Sequence, residues 1–359
     1  MTNLLNRQQC QALRGIAIIG IFLHNYCHWL KGIVRENEYQ FHLQNVTGLD
    51  GVVSSPDWNL PLHLLSFFGH YGVPLFLFLS AYGLVLKYET GPGGSSLILS
   101  EGGRWAPLKG SGRFVRYHFL KLFKMMIVGY VAFTMIDFIT PRHHHYQLLD
   151  VVSQLLMFNN VLPNPDRIIW PGPYWFFGLM LQLSIVYRLL LYRRHWAVTV
   201  ALMTVCTFLP LLMSPEGEPL NRYRYNFMGG MLPFGLGLLC ARFPMNLNKT
   251  YCCLFALVSA VLVYSLGHNY FGWLTVPLFV CSLGFAVVKV LPQWLMRPLQ
   301  WMGGISAALF VCHPITRKIF IPLSLGGDVY AGLLLYVVSS ICIAWLFSEL
   351  LKRIPNPKY

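Results

Sequence analysis

The chain has 359 residues, 55% of them hydrophobic and only 11% charged. Soluble domains carry about 25% charged residues, so a soluble core is excluded and a polytopic helical membrane protein is indicated. A formal net charge of +14 would suit nucleic acid, but its distribution along the chain gives it another origin.

Apolar runs near the ~20 residues that a spanning helix needs recur at 12–30, 62–86, 119–139, 174–191, 196–213, 227–241, 250–267, 271–290, 303–324 and 329–351. The expected architecture is all-α: one bundle of about ten transmembrane helices over residues 1–359, with no soluble domain beside it. The first run follows Arg14 directly and has no small-residue cleavage site after it, so it reads as a permanent helix. Residues 31–61 are polar and contain Glu36, Glu38, Asp50 and Asp57. The 87–118 connection opens with Gly91-Pro92-Gly93-Gly94-Ser95-Ser96, which lacks a P-loop lysine pattern and reads as a linker; it ends in a basic run. Residues 140–173 carry His143-His144-His145 and an apolar stretch, Val151–Phe158, suited to the membrane interface. Consecutive loop histidines rarely converge on one ion, so no metal is expected. Nine cysteines form neither a disulfide framework nor a zinc spacing, and most read as small packing residues.

With the connections numbered alternately, the set that includes the N-terminus holds 18 Lys and Arg against 8 in the other, while acidic residues run 3 against 9. Positive-inside orientation then places both termini in the cytoplasm. The basic balance is a topology signal: the expected partners include membrane lipids and exclude nucleic acid. No internal repeat is visible, which disfavours the inverted-repeat transporters.

Two ionisable residues stand in the first run, Arg14 and His24. Such groups are expensive in hydrocarbon and mark function by default. The bland reading is an arginine snorkelling to the headgroups and a histidine bonded to a neighbouring helix. Ten residues at about 1.5 Å each separate the pair by roughly 15 Å along the membrane normal.

The context of that pair is informative. Leu13-Arg14-Gly15-Ile16-Ala17, an apolar run and then His24 resemble the opening of the acyltransferase 3 family of membrane acyltransferases. Gly72-Val73-Pro74-Leu75-Phe76-Leu77-Phe78-Leu79-Ser80-Ala81-Tyr82 is similar to that family's second-helix pattern, with Ala81 in place of the usual glycine. Phe119-Leu120-Lys121-Leu122-Phe123-Lys124 resembles its basic Arg-x-x-Arg element with lysines substituted, while a literal Arg113-Phe114-Val115-Arg116 lies just upstream. Tyr174-Trp175-Phe176-Phe177, followed by Gln182, resembles the family's Trp-Phe-Leu segment with its Glu or Gln. Ile305-Ser306-Ala307-Ala308-Leu309-Phe310-Val311-Cys312-His313-Pro314 resembles the late Ile-Ser-Tyr-x-Leu-Tyr-Leu-x-His-x-Pro pattern. The five matches fall in order across residues 13–314.

The resemblance implies transfer of an acyl group, most often acetyl, from cytoplasmic acyl-CoA to a hydroxyl of an extracytoplasmic or lipid-linked glycan. The protein would be multi-pass in the cell (inner or plasma) membrane. His24 would be the general base, a role that suits its ordinary pKa, or the bearer of a transient acyl group. Arg14 would stabilise the thioester end or a phosphate of the donor. Arg113, Arg116, Lys121 and Lys124 would recruit the coenzyme A phosphates, though a positive-inside anchor accounts for them as well. His28, Ser80, Tyr174, Trp175, Gln182 and His313 would line the substrate site. Aromatic-belt anchoring also explains the two rings, and His313 could merely repair bonding beside Pro314. One spacing departs from the family. Nine residues separate Arg14 from His24 where ten are usual, which turns the pair from roughly 20° apart to about 80°. A π-bulge would restore a shared face; otherwise His28, about 40° off, is the rival ring. Two other classes stand beside the enzyme reading: a glycan or lipid-linked-sugar transporter without covalent chemistry, and a membrane scaffold or sensor.

Overall fold

The computed structural model describes residues 3–90 and 110–357; the linker expected at Gly91–Ser96 lies outside them. All regular structure among the described residues is helical. The first helix, α1 (Arg7–Cys27), is followed by α2 (Leu43–Ser54) and α3 (Leu60–Phe68); a single turn at Gly69–Tyr71 joins α3 to α4 (Gly72–Tyr88). Then come α5 (Ser111–Ile139), the short α6 (Leu148–Leu155) and α7 (Pro165–Ile168), α8 (Trp175–Val186), α9 (Trp196–Phe208) and α10 (Glu218–Tyr225). The chain closes with α11 (Phe227–Arg242), α12 (Lys249–Leu266), α13 (Tyr270–Val290), α14 (Gln293–Gly326) and α15 (Val329–Arg353).

A helix stands at each run that hydropathy marks. Among the described residues, seven segments are long and apolar enough to cross a membrane: Leu60–Tyr88, Ser111–Ile139, Gly172–Leu191, Lys249–Leu266, Tyr270–Val290, Gln293–Gly326 and Val329–Arg353. Trp196–Leu212 and Phe227–Arg242 are apolar but shorter. The 21-residue α1 is diluted by Arg7, Arg14 and three glutamines near its start. The protein is an integral membrane protein.

The element that orders the bundle is α1. Asn6 caps it, accepting from the Gln9 backbone while the Gln9 side chain returns the bond to Asn6, so two otherwise orphaned donors are satisfied. The helix then packs against α14, α4, α3 and α13. Glycines set how closely: Gly15 lies on the Leu299 backbone of α14, and Gly303 of α14 lies on the Gln11 backbone of α1. Hydrocarbon offers no hydrophobic drive between helices, so close backbone approach through small residues supplies the packing. By contrast, α12 and α15 bury little, and direct Leu254, Leu257, Leu334 and Leu346 outward, as a lipid-facing surface requires. The interfacial stretch expected at Val151–Phe158 forms α6, which is inverted relative to a soluble helix: Ser153 and Gln154 are buried, Leu148, Leu149, Val152 and Leu156 exposed.

Candidate functional site

Two cavities open from opposite ends of α1. The first, about 470 Å³, surrounds His24 and His28 near the end of α1, with walls from the 29–39 segment, the 166–176 segment and α14. The second, about 460 Å³, contains Arg14, Ser80, Lys87, His118 and Lys121 at the other end. Both lie in the ~300–1,000 Å³ range of small-molecule sites. Phe176 and Phe310 line both cavities, and their rings stand 5.2 Å apart, forming a shared wall.

The His24 side chain is 9% exposed and its Nδ1 lies 2.7 Å from the carbonyl oxygen of Ser66 in α3. A carbonyl only accepts, so Nδ1 carries the proton and donates it, which leaves Nε2 as the unprotonated nitrogen. Nε2 makes no hydrogen bond with the described residues and retains surface in the cavity. Seating this ring depends on Gly69: a Cβ there would stand 2.6 Å from the His24 Cβ and 2.5 Å from the Gly20 carbonyl oxygen. The His28 and His70 rings lie 5.2 Å and 5.5 Å from that of His24.

The π-bulge that would return Arg14 and His24 to one face is absent: α1 is α-helical from Arg7 to Cys27, and among the described residues π geometry occurs only farther on, at Tyr187–Leu191. Instead, the pair divides its residues between the two cavities.

The other expected residues separate into groups. Trp175 joins His24 and His28 in the first cavity, while Ser80 and Lys121 join Arg14 in the second. Arg113 and Arg116 are exposed at the start of α5 and line neither. Lys124 is engaged elsewhere, donating to the Ile354 carbonyl at 2.6 Å and to Asn356 at 3.1 Å. Tyr174 is fully buried and donates to the Val311 carbonyl at 2.8 Å, pinning α14. Gln182 donates to Asn226 and accepts from the Phe227 backbone, both at 2.8 Å, capping α11. His313 is sealed in α14 with Nδ1 donating to the Leu309 carbonyl at 3.1 Å, one residue before the carbonyl that Pro314 frees.

The cavities also hold residues the sequence did not single out. Lys87 and His118 add to the basic cavity. Arg35, Glu38, His70, Asp166 and Arg317 add to the histidine cavity. Asp166 accepts from Tyr225 Oη at 2.5 Å and from Asn221. Burial pushes the Glu38 carboxyl up to about 7, against the opposing pull of its own backbone N–H and of Arg224. Arg317 lies four residues after His313, yet His313 lines neither cavity, so that spacing did not mark Arg317 out. Among the described residues, no three His, Cys, Asp or Glu side chains converge as a metal site would need.

The fold and these cavities define a polytopic helical membrane protein with two cavities that share a wall, one carrying basic side chains and one built around histidine. The chain matches the acyltransferase 3 family, described as an acyltransferase domain, over residues 9–349, and it belongs to that family. No curated protein and no solved structure matches it.

Proposed function

We propose that the protein is a membrane O-acyltransferase that moves an acyl group, acetyl in the simplest case, from cytoplasmic acyl-CoA to a hydroxyl of an extracytoplasmic or lipid-linked glycan. The carrying observation is the His24 ring, whose Nδ1 donates to the Ser66 carbonyl and whose free Nε2 faces a cavity of substrate size. A sugar hydroxyl is a weak nucleophile near neutral pH, and a fixed imidazole tautomer is a suitable base for it. Nε2 takes the hydroxyl proton as the oxygen attacks the thioester carbonyl. The carbon–sulfur bond then breaks, and the coenzyme A thiolate leaves and is reprotonated.

The basic cavity would hold the donor, with Arg14, Lys87 and Lys121 facing its phosphates. Positive-inside orientation gives that cavity to the cytoplasm and the histidine cavity to the far side. The aromatic walls of the latter, Trp29, Tyr39, Trp170 and Trp175, suit the apolar faces of a sugar ring. Cell-membrane residence, both termini cytoplasmic and a bundle of about ten spans complete the proposal.

The test uses full-length protein in liposomes with radiolabelled acetyl-CoA, and methyl glucoside and methyl glucuronide as acceptors. His24→Ala should lower transfer by about 10²–10⁴-fold, the range for a lost general base, while the protein remains folded. Normal transfer by His24→Ala with loss in His28→Ala would reassign the base. No transfer by the unaltered chain, together with saturable sugar uptake, would return the transporter reading.

A further inference from the structure

Arg317 is 6% exposed, projects from α14 into the histidine cavity, and has no carboxylate within ion-pair distance among the described residues. Its Nη1 reaches only Asn25, at 3.2 Å to the side-chain oxygen and 3.4 Å to the carbonyl, and its guanidinium lies 5.0 Å from the Trp29 ring centre. Nε and Nη2 make no hydrogen bond with the described residues, yet they are not sealed from the cavity. Its sequence neighbour Lys318 behaves differently, pairing with the buried Asp137 at 2.8 Å. A buried charge without a partner is costly to keep, and in a membrane protein such a group marks function.

The cavity's own acids do not supply the missing anion. Asp166 is held by Tyr225 and Asn221, and Glu38, with its carboxyl raised to about 7, sits by Arg224. Arg35, exposed and lining the same cavity, adds a second guanidinium. Planar guanidinium groups with open donors fit carboxylate and phosphate in bidentate fashion.

Resting on the acyltransferase reading, we propose that the acceptor is an anionic saccharide, whose carboxylate or phosphate is held by Arg317 while a neighbouring hydroxyl is presented to His24 Nε2. Arg35 draws the anion in and Arg317 fixes it. The cavity thereby selects acidic over neutral sugars of equal size.

The experiment measures binding by calorimetry on the full chain in detergent without acyl-CoA, using methyl glucoside, methyl glucuronide and glucose 1-phosphate. At least one anionic sugar should bind ten-fold or more tighter than methyl glucoside. Preference for the glucuronide identifies an acidic sugar, and preference for the phosphate a phosphate-linked one. Arg317→Gln should abolish the preference and leave the methyl glucoside affinity within two-fold. Should that variant fail to fold, Arg35→Gln and a salt titration replace it: the anionic sugar alone should weaken with either. Equal affinity for all three sugars overturns the proposal, as does an Arg317→Gln loss that falls equally on neutral and anionic sugars. Anion binding without acyl transfer would refute the acyltransferase reading alone. Transfer to neutral sugars without anion preference would refute this inference alone.

Discussion

Gly69→Ala tests whether the seat of His24 controls the chemistry. The added Cβ would stand 2.6 Å from the His24 Cβ, about 1 Å inside the ~3.5–4.0 Å of a normal carbon contact. It would also meet the Gly20 carbonyl oxygen at 2.5 Å, so the turn before α4 and α1 must separate by a similar amount. Added to the 2.7 Å bond between His24 Nδ1 and Ser66, that movement gives about 3.7 Å, outside hydrogen-bonding range. The ring then loses both its place and its fixed tautomer. Misplacement by about 1 Å is worth on the order of 10²-fold in rate, and overpacking of this kind costs about 1–3 kcal/mol of stability. Labelled acetyl transfer and a thermal melt read the two effects separately. Gly51→Ala in α2, where an added Cβ meets nothing within 4 Å, is the control: it should leave transfer unchanged and, as a helix-interior glycine replaced by alanine, raise the melt slightly if it moves it at all. A Gly69→Ala protein that transfers within two-fold of the parent refutes the reasoning.

Two further outcomes are expected. Asp137→Ala strands Lys318 from its fully buried partner 2.8 Å away and should destabilise by about 3–5 kcal/mol; the double change Asp137→Leu with Lys318→Met should recover part of it, the His144 N–H and Tyr146 Oη that Asp137 also holds staying unpaired, read as thermal midpoints. The Glu38 carboxyl, raised by burial to about 7, binds its proton more tightly folded than unfolded. Its contribution to stability therefore falls as pH climbs from the ordinary carboxyl range through about 7. Toward the top of that climb its new negative charge, lining the same cavity, repels an anionic sugar, so methyl glucuronide should bind several-fold more weakly at pH 8 than at pH 6. Glu38→Gln should remove that component of the pH dependence, and an unchanged profile in the variant would exclude Glu38 as its source.

Much of this arrangement was legible in the sequence because hydrocarbon is a strict solvent. Apolar runs located the helices, and the rarity of a histidine such as His24 in them drew attention to a ring that the structure places in a cavity. The basic residues were harder to read. Lys121 and Lys124 are three apart on one helix, yet one enters the cavity and the other is tied to the chain's last residues. Nothing local separates them, since the difference comes from where the 354–356 segment lands. Arg317 was hidden by the opposite problem, because beside Lys318 it looked like ordinary interfacial charge. Only the position of Asp137 across on α5 shows that one cation of the two is neutralised and the other is left open. Gln182 and Tyr174 matched a pattern by type, and their partners proved to be backbone groups of neighbouring helices.

The wall shared by the two cavities has a consequence for the membrane itself. Phe176 and Phe310 meet ring to ring at 5.2 Å, and a constriction lined by apolar rings excludes water and ions. A protein hollowed from both ends would otherwise be a leak. On the proposed orientation, this aromatic pair would keep the bilayer insulating between encounters. On the proposed acyltransferase reading, the uncharged thioester arm of the donor would have to pass between these two rings to reach His24, without carrying a hydrated ion with it.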